Sequence, residues 1–419
     1  MQDVEIAANR ETPGKDGRFW RKWCSHGFYF WCKKYFWEGQ LKQGTGAETG
    51  YDTSGNTTGP FSGLSPSRRK FWSLLIPIAF YHFWYWSMMC YKELFYVFED
   101  KYLIAIAMIP GSMIAGMTCV GGGAIAFPVM TLAMDESPIV ARDLSITIQA
   151  NGMLAASFSI LFMKVHIERH SLLYSFLGSS AGVIFGLEVI DPILSPSVKK
   201  MGFASIFFAF AFTLFLINWN NKRRTYNNIQ DLNWWKILLI FVFGFIGGIF
   251  TAFAGCGSNI WMFSLLTLFF KISEKVATPT SVILMALNSL VCWGWRSFVT
   301  TGMPQESWDY LYVVLPIATM FAPLGAFIGT HFHRLVLAAC VYILNTATLV
   351  SAFAIVPQTP ALTGGSVGLI IGTSVFFAFL FKLGDHIKAK QEENMTQKIS
   401  GEKKNDVTGS YINDGYINS

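Results

Sequence analysis

Long apolar stretches separated by short polar ones dominate the chain, and their lengths set the first expectation. A helix crossing a hydrocarbon core of about 30 Å needs about 20 mostly apolar residues. Stretches of that length lie near 71–91, 144–163, 171–190, 201–219, 278–295, 308–330, 335–356 and 364–383. Two more, 102–134 and 235–270, are too long for one crossing, too short for two, and interrupted by glycines. Each is expected to form a broken, re-entrant hairpin. The fold class expected is an all-α polytopic membrane protein, with about 8 transmembrane helices plus the two hairpins.

Basic residues orient these spans, because cytoplasmic loops carry an excess of Lys and Arg. Arg68, Arg69 and Lys70 precede the first span, and Lys382, Lys388 and Lys390 follow the last, which places both termini in the cytoplasm. The loop with Lys222, Arg223 and Arg224 reaches that side only if 102–134 returns to the face it entered from. Lys199 and Lys200 do not fit the scheme. Which membrane holds the protein is not readable.

A shift of 136 residues pairs Gly111 with Gly247, Gly121 with Gly257, Thr131 with Thr267, Ser137 with Ser273, Ala141 with Ala277 and Ser145 with Ser281, among other identities. Three complete crossings separate the two hairpins, so the second copy is expected to enter from the opposite face. Such inverted repeats place a transporter's substrate site near the bilayer midplane. The organisation expected is a cytoplasmic tail over 1–70, a first transmembrane repeat over 71–220, a cytoplasmic linker over 221–234, a second repeat over 235–384 and a disordered cytoplasmic tail over 385–419. Within the first tail, residues 18–37 interleave ten aromatics with Arg18, Arg21, Lys22, Lys33 and Lys34. That mixture suits a helix lying on membrane lipid, rings at headgroup level and cations on phosphate.

Composition narrows the function. The chain is 52% hydrophobic and 14% charged, against roughly 25% charged in soluble domains, which excludes a soluble enzyme. The net charge of +6 resides largely in the first tail and short loops, which excludes a nucleic-acid groove. Seven cysteines are scattered singly without metal-ligand spacing, so neither metal nor cofactor is expected. No spacing of nucleophile, base and orienter suggests catalysis. Carboxylates are scarce within the spans, with Asp143, Glu188 and Asp191 near their ends, which favours a small inorganic or organic anion over a cation as cargo. Arg142 and Arg296 could attract such an anion, but both lie near span ends, where snorkelling to the interface is the ordinary explanation.

The breaks carry the candidate site. Gly121-Gly122-Gly123 must interrupt a helix, each glycine costing about 1 kcal/mol against alanine, and a restarting helix presents free N–H groups that bind anions. Gly257-Ser258-Asn259 offers the same from the other face. Ser145 and Ser281 follow at equivalent repeat positions, with Thr147, Gln149, Asn151 and Asn288 deeper in. The candidate substrate-binding residues are Gly121, Gly122, Gly123, Ser145, Gln149, Gly257, Ser258, Asn259 and Ser281. Gly178, Gly182 and Gly186 read instead as a helix-packing stripe.

Gly121-Gly122-Gly123, Phe127-Pro128-Val129 and Ala141 to Ser145, with the degenerate second copy, resemble the signature of the TauE/SafE family of sulfite exporters. The resemblance covers roughly 72–383. It implies a multi-pass secondary transporter for small sulfur-containing anions such as sulfite, organosulfonate or thiosulfate, working by alternating access. Cys119 stands where the first motif glycine would be, Ser258, Asn259 and Ser264 depart from the second copy, and bulky Trp261 suggests a narrower pocket. Direction, proton or other ion coupling and homo-oligomer formation stay open. The long tails keep an alternative open, a membrane receptor or scaffold with a transporter fold.

Overall fold

The computed structural model describes residues 65–219, 226–229, 232–300, 302–332 and 334–414. The aromatic, basic segment 18–37 lies outside the described residues. Twelve helices account for nearly all the rest. These are α1 (Pro66–Lys92), α2 (Val97–Met117), α3 (Gly123–Ala133), α4 (Pro138–Phe162), α5 (Arg169–Ile190), α6 (Pro196–Trp219), α7 (Trp234–Ala254), α8 (Ser258–Phe269), α9 (Glu274–Phe298), α10 (Gln305–Gly329), α11 (Arg334–Ile355) and α12 (Pro360–Asp414).

Eight of them, α4 to α7 and α9 to α12, are long and apolar enough to cross a membrane, and the protein is an all-α polytopic membrane protein. The number agrees with the sequence reading but the set differs. Helix α1 falls outside it because tyrosine, tryptophan and histidine replace aliphatic residues, although Phe80, Phe83 and Trp84 are exposed as lipid-facing rings would be. Helix α7 falls inside it and α2 does not, although both are 21 residues long, and the second arm of each hairpin, α3 or α8, is short. Helix α12 runs from Pro360 to Asp414, and its apolar, membrane-crossing part is Pro360–Ile387.

The succession long helix, short helix, three long helices occurs twice, as α2–α6 and as α7–α11. Each leading helix packs on the fourth helix of the other succession, through glycines that let backbones touch. A Cβ on Gly182 of α5 would lie 2.0 Å from the Phe245 carbonyl of α7, and one on Gly178 2.1 Å from that of Phe241. Likewise a Cβ on Gly325 of α10 would lie 2.0 Å from the Met113 carbonyl of α2, and one on Gly329 2.8 Å from the Met117 side chain. The packing role read for Gly178, Gly182 and Gly186 is therefore met by backbone on the facing helix.

These contacts also give chain direction. Residues rise together in α5 with α7 and in α2 with α10. Helix α4 runs with α10, since Glu136 meets the Tyr310 hydroxyl and Gly152 lies against Ala318. Helix α9 runs with α5, since the Thr280 hydroxyl accepts from Glu168 N–H at 3.0 Å and Trp295 donates to Glu188 at 2.8 Å. So α2 and α4 share one sense, α7 and α9 share one sense, and the short helices between them bring the chain back. Helices α4 and α9 oppose each other. Asp143 at the start of α4 pairs with Arg296 at the end of α9, while Met153 and Ile160 in the later half of α4 cluster with Val282 and Ile283 in the earlier half of α9.

Candidate functional site

Both breaks form for local reasons. Helix α2 ends where Thr118 becomes extended and turns its hydroxyl back to the Ile114 carbonyl at 2.8 Å. Gly121 then takes φ +83°, a left-handed conformation that glycine adopts without strain. Helix α7 ends at Gly255, φ +78°, whose N–H donates to the Thr251 carbonyl at 2.8 Å. Each short helix restarts within a few residues and finishes in a π-helical turn, Val129–Ala133 or Leu265–Phe269.

The two breaks meet, and side-chain amides join them reciprocally. Asn259 at the start of α8 donates its Nδ2 to the Val120 carbonyl at 2.9 Å and to that of Cys119, both in the first break. Gln149 of α4 donates its Nε2 to the Gly255 carbonyl of the second break at 2.6 Å, and to the Ser145 carbonyl at 3.2 Å. Carbonyls that end α2 and α7 thus find donors from the other succession. The contact is close. A Cβ on Gly123 would fall 2.3 Å from Gln149 Nε2 and 3.0 Å from Cys256 Cβ, and one on Gly255 would fall 2.6 Å from Ser145 Cβ. Gln149 opens a π-helical turn, Gln149–Met153, a distortion often found at functional positions.

Among the described residues, the backbone N–H groups of Gly121, Gly122, Gly123 and Ala124 have no hydrogen-bond acceptor, and neither have those of Cys256, Gly257 and Asn259. Every one of these residues is buried. Ser258 is held differently. Its N–H donates to the Thr251 hydroxyl at 3.2 Å, and Asn288 Nδ2 donates to its Oγ at 3.0 Å and to Thr251 at 3.1 Å.

The candidate residues divide accordingly. Gly121, Gly123, Ser145, Gln149, Ser258 and Asn259 lie at or against the joined breaks. Gly122 faces Ile148, Ala115 and Met108, and Gly257 faces Phe250, so both sit against apolar packing. The hydroxyls of Ser145 and Ser281 return to the carbonyls of Ala141 and Ala277 at 2.7 and 2.8 Å, a helix-internal bond. Thr147 and Asn151 also bond within α4. Thr251 and Gly255 are not singled out as site residues by the sequence, since Thr251 acts through Ser258 and Asn288 of its own succession and the bond from Gln149 to Gly255 forms only when the two successions meet. Trp261 does not narrow the meeting point. Its ring packs on Phe243 and Phe250 of α7 and on Phe376 and Phe377 of α12.

A buried charge cluster lies beside the second break. Asp143 accepts from Arg142 at 2.9 and 2.8 Å and from Arg296 at 3.2 and 3.1 Å. Arg142 also pairs with Asp191, which pairs with Lys199 at 2.6 Å. Arg142 is 2% exposed and Asp143 0%, so neither snorkels, and Arg296 turns inward to the same carboxylate. Three cations face two carboxylates. Lys200, the other misfit of the charge scheme, donates to the Thr131 carbonyl at 2.8 Å. Both lysines satisfy acceptors inside the fold.

Comparison with known proteins agrees with this architecture. The family model described as sulfite exporter TauE/SafE matches residues 103–352. A curated relative, "Probable membrane transporter protein YunE" of Bacillus subtilis (strain 168), is 25% identical over 249 residues, covering 54% of this chain and 87% of that protein. No solved structure matches the chain significantly.

Proposed function

The chain belongs to the TauE/SafE sulfite exporter family of membrane transporters, and from that premise we propose that it moves small sulfur-containing anions, such as sulfite, an organosulfonate or thiosulfate, by alternating access. The observation that carries this reading is the meeting of the two breaks, with seven buried backbone N–H groups left without acceptors. Such groups bind an oxyanion without a charged side chain in contact, and the positive ends of α3 and α8 add to the attraction. The neighbouring cluster of Arg142, Arg296, Lys199, Asp143 and Asp191, with one cation in excess, favours the same sign of charge.

The oxyanion would shed water on reaching the breaks and exchange those hydrogen bonds for protein N–H groups. Gln149 and Asn259 hold each break in register with the other, and so position the donors without contributing charge. The opposed senses of α4 and α9 support an inverted repeat, in which rocking one succession against the other opens the shared centre to alternate faces. An even number of complete crossings, with the hairpins returning, leaves both termini on one side. The Lys and Arg distribution supports the cytoplasm as that side.

The test is uptake of labelled sulfite, taurine and thiosulfate by proteoliposomes holding the full chain. Flux above empty liposomes for at least one anion, reduced at least tenfold by Gly123→Ala, supports the reading. Flux unaltered by that substitution removes the breaks as the binding site.

A further inference from the structure

The amide groups that join the breaks hold a second message. Gln149 and Asn259 are both 0% exposed. Each spends its NH2 group on carbonyl oxygens, Gln149 on Gly255 and Ser145, Asn259 on Val120 and Cys119. That fixes the orientation of both amides, because a flip would set oxygen against oxygen. The remaining atoms, Gln149 Oε1 and Asn259 Oδ1, are buried acceptors without a partner. Both side chains lie against the triple glycine, Gln149 at Gly123 and Asn259 at Gly121. The meeting point therefore offers unpaired N–H donors together with unpaired carbonyl acceptors.

Resting on the transport reading above, we infer that the anion accepted here is a monoanion that itself donates a hydrogen bond, such as hydrogen sulfite or a hydroxy-substituted sulfonate, rather than a dianion. Its sulfur-bound oxygens take the backbone N–H groups, and its own O–H meets Gln149 Oε1 or Asn259 Oδ1. A dianion such as thiosulfate presents only lone pairs. It would leave both amide oxygens desolvated and unpaired, and would be repelled by them. Sites built to pair a substrate donor reject the analogue that lacks it for this reason.

The ionisable side chains on the elements packed here include Cys119 and Cys256 on the breaks, Glu274, Lys275 and Cys292 on α9, Lys236 on α7, and Arg142, Asp143 and Arg296 in the cluster alongside. The test is therefore run at one pH, so that none of these groups changes state. Full-length protein in proteoliposomes is given methanesulfonate, hydroxymethanesulfonate and thiosulfate in separate and competing uptake assays. The two sulfonates share a charge and differ by one hydroxyl donor. The expected result is uptake of hydroxymethanesulfonate about tenfold above methanesulfonate and above thiosulfate, a ratio lowered toward one by Gln149→Met or by Asn259→Leu, whichever oxygen takes the hydroxyl, since neither replacement carries a carbonyl acceptor.

Equal uptake of all three by the wild-type chain would overturn the inference and leave the transport reading intact. So would a wild-type preference that persists undiminished in both a folded Gln149→Met and a folded Asn259→Leu. Because these variants also lose the bonds to Gly255 or to Val120 and Cys119, the wild-type ratio decides by itself should they not fold. No uptake of any of the three or of sulfite, with no shift of the thermal midpoint on adding them, would remove the transport reading and this inference together.

Discussion

Asp143→Asn is the sharpest test of how the two halves are held together. The wild-type carboxylate, 0% exposed, receives four contacts of 2.8 to 3.2 Å from Arg142 and Arg296, so a single residue of α4 neutralises cations from its own helix and from α9. Asparagine keeps the shape but removes the charge, and it turns an NH2 group toward guanidinium donors. Three buried or nearly buried cations would then share Asp191 alone. Breaking a buried ion pair by removing one partner costs about 3–5 kcal/mol, because the remaining charge is uncompensated. The predicted loss for Asp143→Asn is in that range, a factor of about 10² to 10⁴ in the folding equilibrium.

The assay is reversible unfolding in mixed micelles, followed by tryptophan fluorescence, with Arg296→Gln and the double variant measured beside it. The double variant should be more stable than the sum of the single losses by at least about 1 kcal/mol, the coupling expected of residues in contact. A single-variant loss below about 1 kcal/mol, with additive behaviour, would mean that Arg296 reaches the interface instead, and would refute the cluster as a structural tie.

Further outcomes follow from the same coordinates. Gly182→Ala puts a Cβ where the Phe245 carbonyl already stands 2.0 Å away, so thermal unfolding in detergent should show about 1–3 kcal/mol of overpacking, whereas Gly202→Ala, with nothing within 4 Å, should be neutral or stabilising. Asn288→Ala leaves Thr251 and Ser258 without their shared donor, and should cost about 1–3 kcal/mol by the same measurement. Protease sites added at both termini should be cut from the same face of sealed vesicles, and cutting from opposite faces would contradict the returning hairpins.

Much of the architecture was legible because lipid imposes a simple code. Span length marked most of the crossing helices, and the glycine runs marked both breaks, since a triple glycine cannot be a favourable helix interior. The repeat pairing of Ser145 with Ser281 was also legible, but the role of those hydroxyls was not, because a serine inside a helix returns to its own carbonyl unless a competing partner is built. Arg142 and Arg296 misled for a different reason. Position near the end of a span normally means an exit to water, and only the three-dimensional meeting of α4, α5, α6 and α9 reveals a carboxylate waiting inside. Lys199 carried the available hint, a cation on the wrong side of the charge scheme, three residues beyond Pro196 and close in sequence to Asp191. Trp261 could not be placed from sequence, since its aromatic partners come partly from α12, more than a hundred residues later.

The exchange of leading helices between the two successions has a consequence for biogenesis. Helix α2 leaves the ribosome with its notched, small-residue face bare, and the helix that covers it, α10, does not begin until Gln305. Neither half can finish alone, so the nascent first half must wait in the bilayer, vulnerable to mispairing and degradation, until the second half arrives to lock it.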